Sequence, residues 1–187
     1  MNRRTLLSLT GGGIGMMVTG STKSLGTNTP RYSDRVDVPE QDRSNPYGQE
    51  ELAVQLSQEA ELQHDAFAVT RDALDYWEHY SVKFAGYPIT YDLSYHHDSP
   101  VVRIRFVESI EECGAASADE TTITGCAGVV KDVDVLMIPV TVRITTGRER
   151  NDVLRTLIHE IGHTLGLTHD DEPANFMRKD AVSVEFR

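Results

Sequence analysis

His159-Glu160-Ile161-Gly162-His163-Thr164-Leu165-Gly166-Leu167-Thr168-His169 gathers the residue types of a metal-activated hydrolytic site into one short run. Residues four apart share a helix face, so His159 and His163 can aim at one ion. Glu160 lies beside the first of them, within reach of a water on that ion. Gly166 lets the chain leave the helix and fold back, which brings in His169 as a third nitrogen ligand. Three imidazoles leave the fourth corner of a tetrahedral zinc open, as in catalytic sites, whereas structural zinc is usually closed by four protein ligands. The expected arrangement is one catalytic Zn2+ on His159, His163 and His169, with Glu160 as general base and then general acid. Asp170 directly follows His169 and stands as a reserve ligand or as a group behind it. The competing reading is a protein that holds zinc for binding or structure and turns nothing over.

A helix has to present these residues. Apolar side chains at Leu154, Leu157, Ile158, Ile161 and Leu165 form a stripe of period near 3.6. Thr146 and Glu149 have the spacing of a capping box at its start. Upstream, Val101–Val107 alternates and predicts a strand, and Val135–Ile144 is strongly β-forming with Pro139 marking an edge, bulge or break. Ile123–Val130 predicts a short strand whose glycines suit an exposed edge or close approach of a ligand backbone. The polar stretch 108–122 reads as a loop. Residues 50–80 carry a mixed pattern that reads as mostly helical, with Gly86 and Pro88 marking its exit and a short extended piece over Tyr87–Tyr95. His64, His79, His96 and His97 have no ligand spacing and read as ordinary surface or packing residues.

The ends of the chain carry a different signal. Arg3-Arg4-Thr5-Leu6-Leu7 is a twin-arginine start, followed by a weakly apolar run to Val18 that Gly11, Gly12, Gly13 and Gly15 loosen. It is too short and too rich in glycine for a confident membrane span and has the shape of a twin-arginine export signal. The expected organisation is a signal segment over 1–24, a linker or disordered stretch over 25–49, and a catalytic domain over 50–187. The destination is outside the cytosol or at the cell surface, and membrane contact is expected only through the N-terminal segment if it stays attached.

The formal net charge is −11, and the lysines are only Lys23, Lys83, Lys131 and Lys179. No basic patch suits a nucleic-acid backbone, which excludes that class of partner. An acidic, lysine-poor composition is also shared with proteins of salt-loving organisms. Cys113 and Cys126 are the two cysteines. In an exported protein a disulfide between them closes a loop of about 14 residues, which stabilises by roughly 3 kcal/mol through chain entropy. Two buried thiols are the alternative.

The run from His159 to His169 resembles the zinc signature of the metzincin metallopeptidases, and within them the matrixins. Asn175-Phe176-Met177 follows, with Met177 eight residues beyond His169, the separation that matrixins use for a methionine in a tight turn under the zinc. The resemblance implies a mixed α/β (α+β) zincin fold: a twisted, mostly parallel sheet with one antiparallel edge strand, an active-site helix and a small C-terminal subdomain. It also implies a peptide substrate bound in extended form beside the edge strand, placed by position at Gly125, Cys126, Ala127, Gly128 and on to Val130. Met177 is then an apolar floor beneath the ligands. The chain departs from matrixins after Met177, where Arg178 and Lys179 replace the family's continuation, and it has no recognisable calcium or structural-zinc loops.

Overall fold

The computed structural model describes residues 43–114, 116–117, 123–131 and 139–178. The twin-arginine segment therefore lies outside the described residues, as does most of the linker. Among the described residues, no helix is long and apolar enough to cross a membrane.

The chain begins its regular structure with a strand, β1 (Glu51–Gln58). This corrects the helical reading of 50–80. Leu52 and Leu56 are four apart and fit a helical period, but Val54 between them is buried as well, which gives the alternation of a strand. The helix starts later, as α1 (Ala66–Ala85), where Asp65 caps it by accepting from the amides of Phe67 and Ala68. Gly86 ends it in the left-handed region at φ 88°, donating to the carbonyls of Ser81 and Val82. The expected exit at Gly86 is where the helix stops.

Two strands follow, β2 (Thr90–Ser94) and β3 (Val102–Val107). In β3, Val102, Ile104 and Phe106 are buried while Arg103, Arg105 and Val107 are half-buried, so the predicted alternation holds. The stretch read as a loop over 108–122 contains a two-stranded antiparallel ladder, β4 (Glu112–Cys113) with β5 (Ala116–Ser117). The strand expected over 123–130 is only two residues long, β6 (Gly125–Cys126), and Ala127 and Gly128 lie just beyond it. Within the segment 135–144, residues 135–138 lie outside the described residues, and the observed strand is β7 (Val140–Thr145), which starts directly after Pro139.

The sheet order is β2-β1-β3-β7-β6. All neighbours are parallel except β6, which runs antiparallel on the outer edge of β7. This is the mixed sheet with one antiparallel edge that the sequence reading expected. The next helix, α2 (Arg150–Thr164), packs against α1. The fully buried Trp77 of α1 donates its indole N–H to the carbonyl of Ile158 at 2.9 Å. The capping box does not form, because the Thr146 amide still donates to Val107 and extends the β3–β7 ladder. Gly147 then turns at φ 80°, and the helix cap is Glu149, without a side-chain hydrogen bond.

After α2 comes a tight loop and a four-residue helix, α3 (Ala174–Met177). The segment before β1 is tied to this end of the molecule. Arg43 donates to the carbonyl of Gly166 and pairs with Asp171, and the Tyr47 hydroxyl donates to the carbonyl of Thr164 at 2.8 Å.

Candidate metal centre and cleft

His159 and His163 fall on the last two turns of α2, four residues apart, and their rings meet edge to face with centroids 4.6 Å apart. Gly166, at φ 85°, turns the chain, and the amide of Leu167 returns to the carbonyl of Gly162. The loop then brings the His169 ring to within 5.2 Å of His159 and 4.9 Å of His163, centroid to centroid. One ligand nitrogen from each of the three lies within 4.8 Å of the others, and among the described residues this is the one group of three or more such side chains able to hold an ion. Asp170 is exposed and does not belong to it.

The hydrogen bonds of two rings settle which nitrogen faces inward. His159 Nδ1 lies 2.6 Å from the carbonyl oxygen of Phe176, and His163 Nδ1 lies 2.7 Å from that of Leu167. A carbonyl only accepts, so each Nδ1 carries the proton and each neutral ring leaves Nε2 bare. Those two Nε2 atoms sit 3.0 Å apart. Two lone pairs aimed at each other at that distance call for a cation. Nitrogens held by a tetrahedral zinc stand roughly 3.3 Å apart, so the donor set and its spacing fit the ion. Burial, with the neighbouring rings adding to it, pushes His159 down to about 4 despite the Phe176 bond, and burial also lowers His163. Both are therefore neutral and ready to ligate at neutral pH.

Glu160 packs against the sheet edge at Gly125. It is 6 % exposed, and burial pushes its carboxyl up to about 8, against the pull of a hydrogen bond from the Ala127 amide. A dication beside it would lower that value again. Gly125 lies directly over the carboxylate: a Cβ there would stand 2.6 Å from Glu160 Oε1 and 2.7 Å from its Cγ, besides overlapping Thr156. Further along, the Val130 amide donates to the carbonyl of His163 at 3.0 Å. The chain from β6 to Val130 thus runs beside α2 past the glutamate and the second histidine.

Between this chain and α2 lies a cleft of about 610 Å³ whose walls include Gly125, Cys126, Ala127, Gly128, His159, Glu160, His163 and His169. The expected ligands, Glu160 and the edge-strand residues thus share one cavity, while Gly166 and Met177 lie outside its walls. Cys113 and Cys126 form the disulfide left open above, with Cα atoms 5.6 Å apart, and it ties β4 to β6. Met177 is fully buried beneath the helix, its sulfur against Gly162 (a Cβ on Gly162 would meet Sδ at 2.6 Å). The other histidines are elsewhere: His64 bonds to the carbonyl of Arg148, His97 to that of Asp92, and His79 packs on Tyr80.

Several groups at the site had no signal in the sequence. The carbonyls of Phe176 and Leu167 and the Ala127 amide are backbone atoms, identical at every position until the fold places them. Arg43, Thr168 and Asp171 tie down the loop that carries His169: Asp171 accepts from the amide and hydroxyl of Thr168 at 2.6 and 2.9 Å and from Arg43.

No family model matches the chain, and no curated protein matches it. Two solved structures of myroilysin are similar. One is 21 % identical over 63 % of this chain and 42 % of its own length, the other 20 % identical over 68 % and 50 %, each with a TM-score of 0.36. This chain thus spans half or less of the chains it matches. At that level of likeness the chemistry rests on the residues of this chain alone.

Proposed function

We propose that this chain is a zinc-dependent endopeptidase of the metzincin type. The observation that carries the reading is the pairing of two features on one helix. Two neutral histidines turn bare Nε2 atoms toward each other at 3.0 Å with His169 beside them, and a buried carboxylate stands at the adjacent position in the same cleft.

His159, His163 and His169 would hold the ion. When bound there, zinc supplies Lewis-acid polarisation of a carbonyl and makes a water acidic enough to deprotonate near neutrality. Glu160 takes the proton of the attacking water at its carboxylate and delivers it to the leaving amine. The Ala127 amide and the close cover of Gly125 keep that carboxylate in one place while it does so. The neutral rings keep their orientation through the carbonyls of Phe176 and Leu167, a kind of support on which metal affinity depends. The substrate is a peptide added to the outer edge of β6, where backbone pairing supplies affinity and alternate side chains enter pockets. Met177, beneath the helix, takes the part of the family's turn methionine. Residues 1–24 act as a twin-arginine export signal, which places the enzyme outside the cytosol or at the cell surface.

The test is metal content by mass spectrometry together with cleavage of a mixed peptide library, with and without a chelator. One zinc per chain and chelator-sensitive cleavage are expected. Zinc retained with no cleavage would replace this reading by a zinc-holding protein without turnover.

A further inference from the structure

Four consecutive carbonyls, from Thr164 to Leu167, end α2 and open the turn that carries the chain from His163 to His169. Each accepts a hydrogen bond from a side chain. The Tyr47 hydroxyl donates to Thr164 at 2.8 Å, the Tyr87 hydroxyl to Leu165 at 3.0 Å, the Arg43 guanidinium to Gly166 at 3.2 Å, and His163 Nδ1 to Leu167 at 2.7 Å. Carbonyls at a helix end have no partner within the helix. Here three of the four donors come from outside the turn. Arg43 and Tyr47 belong to the segment before β1, inside the stretch read as a linker, and Tyr87 to the link between α1 and β2. Arg43 also pairs with Asp171, two residues past His169. Its planar fork thus grips the loop on both sides of the third histidine. Burial raises the Tyr47 and Tyr87 hydroxyls above their ordinary value, so both remain protonated donors.

We propose that Arg43, Tyr47 and Tyr87 are positioning residues of the metal centre, which set the turn so that His163 and His169 meet one ion. The link runs through the backbone. The Leu167 carbonyl keeps the proton of His163 on Nδ1, and the same turn delivers His169 two residues later. A shift of the turn therefore disturbs two ligands at once. This rests on the peptidase reading for zinc at His159, His163 and His169. It extends that centre to residues that precede the sheet.

Zinc affinity tests it without turnover. The full chain is titrated with zinc against a chromogenic chelator, and unfolding midpoints of the metal-free protein are measured beside it. Tyr47→Phe and Arg43→Ala are each expected to bind zinc about tenfold more weakly, the lower end of the effect of supports behind a ligand. Arg43→Lys should recover part of the loss, since it keeps the charge but cannot span two acceptors. With Co2+ in place of zinc, the visible absorption bands of Tyr47→Phe should shift. Tyr91 supplies the control. It interacts with Tyr47 and Tyr87, yet its buried hydroxyl has no acceptor among the described residues. Tyr91→Phe should therefore bind zinc as wild type does. Tyr87→Phe serves where Tyr47→Phe does not fold. Wild-type affinity in the Tyr47, Tyr87 and Arg43 variants, even with lowered midpoints, overturns the role, and so does an equal loss in Tyr91→Phe. Cleavage by wild-type protein is scored separately. Cleavage with unchanged variant affinities sinks the positioning role and leaves the peptidase standing, whereas weakened zinc binding in the variants of a wild type that cleaves nothing keeps the role and sinks the peptidase. A wild type that binds no zinc sinks both.

Discussion

Gly125 covers the carboxylate of Glu160 so closely that a single added methyl group would reach 2.6 Å from Oε1. The backbone of the edge strand and the proposed general base therefore share one packing site. Gly125→Ala should force apart β6 and α2, since the overlap involves Cγ of Glu160 and the side chain of Thr156 as well as a flexible carboxylate end. Overpacking of this kind costs about 1–3 kcal/mol. Peptide turnover should fall at least tenfold, about 1.4 kcal/mol of transition-state stabilisation, with zinc content unchanged. Metal analysis beside a cleavage assay checks both.

Glu160→Gln should keep zinc and lower turnover by about 10²–10⁴-fold, the usual share of a general base. His163→Ala should lose metal and turnover together, because it removes one of the two facing Nε2 atoms. Full activity in Glu160→Gln protein would show that another group takes the proton.

The metal-free protein should be most stable near pH 5–6. His159 is depressed from 6.5 to about 4, so the unfolded chain binds the extra proton and stability falls as pH drops from 6.5 toward 4. Glu160 is raised from 4.5 to about 8, so the folded chain binds the extra proton and stability falls as pH rises from 4.5 through 8. The two terms oppose each other between 4.5 and 6.5, and above that the glutamate acts alone. The net alkaline loss, from 6.5 to about 8, is on the order of 2 kcal/mol. Urea midpoints of chelated protein from pH 5 to 9 measure it, and Glu160→Gln should flatten the alkaline limb. Added zinc should stabilise more at pH 8 than at pH 5, since a dication beside Glu160 favours its charged form.

Gly162 sits where Met177 and Trp77 converge; a Cβ there would lie 2.6 Å from the Met177 sulfur and 2.9 Å from Trp77 Cζ2. Alanine improves helix propensity by about 1 kcal/mol, but overpacking costs about 1–3 kcal/mol and should win. Met177→Ala should cost about 2–5 kcal/mol by leaving a cavity under the helix. Denaturant unfolding of the two variants separates these effects. A Gly162→Ala protein more stable than wild type would mean that this packing is looser than described.

Asp171 holds the loop that delivers His169. Burial works against its charge, yet the Thr168 amide and Arg43 keep its carboxyl below the usual range. Asp171→Ala should weaken zinc binding about 10–100-fold, as loss of a supporting group behind a ligand does. Competition with a chromogenic chelator reads it. An unchanged affinity would show that the loop holds His169 without this support.

The three clustered histidines were legible in the sequence because they sit on one contiguous helix and turn, 159–169, where spacing alone decides direction. Gly86 and the alternation of β3 were legible for the same local reason. The start of the chain was not: Leu52 and Leu56 satisfy a helical period and a strand period equally, and only pairing with β2 and β3 makes β1 a strand. Nor was the helix cap, since Thr146 could not be known to remain in the ladder with Val107. Which ring nitrogens face inward was decided by the carbonyls of Phe176 and Leu167, and the glutamate's seat by the backbone of Gly125 and Ala127. Backbone groups carry no identity in a sequence; they acquire a role only when distant segments are brought into contact. The sequence by itself determined the set of atoms able to bind a metal, and the tertiary structure decided how those atoms are aimed and how closely they are enclosed.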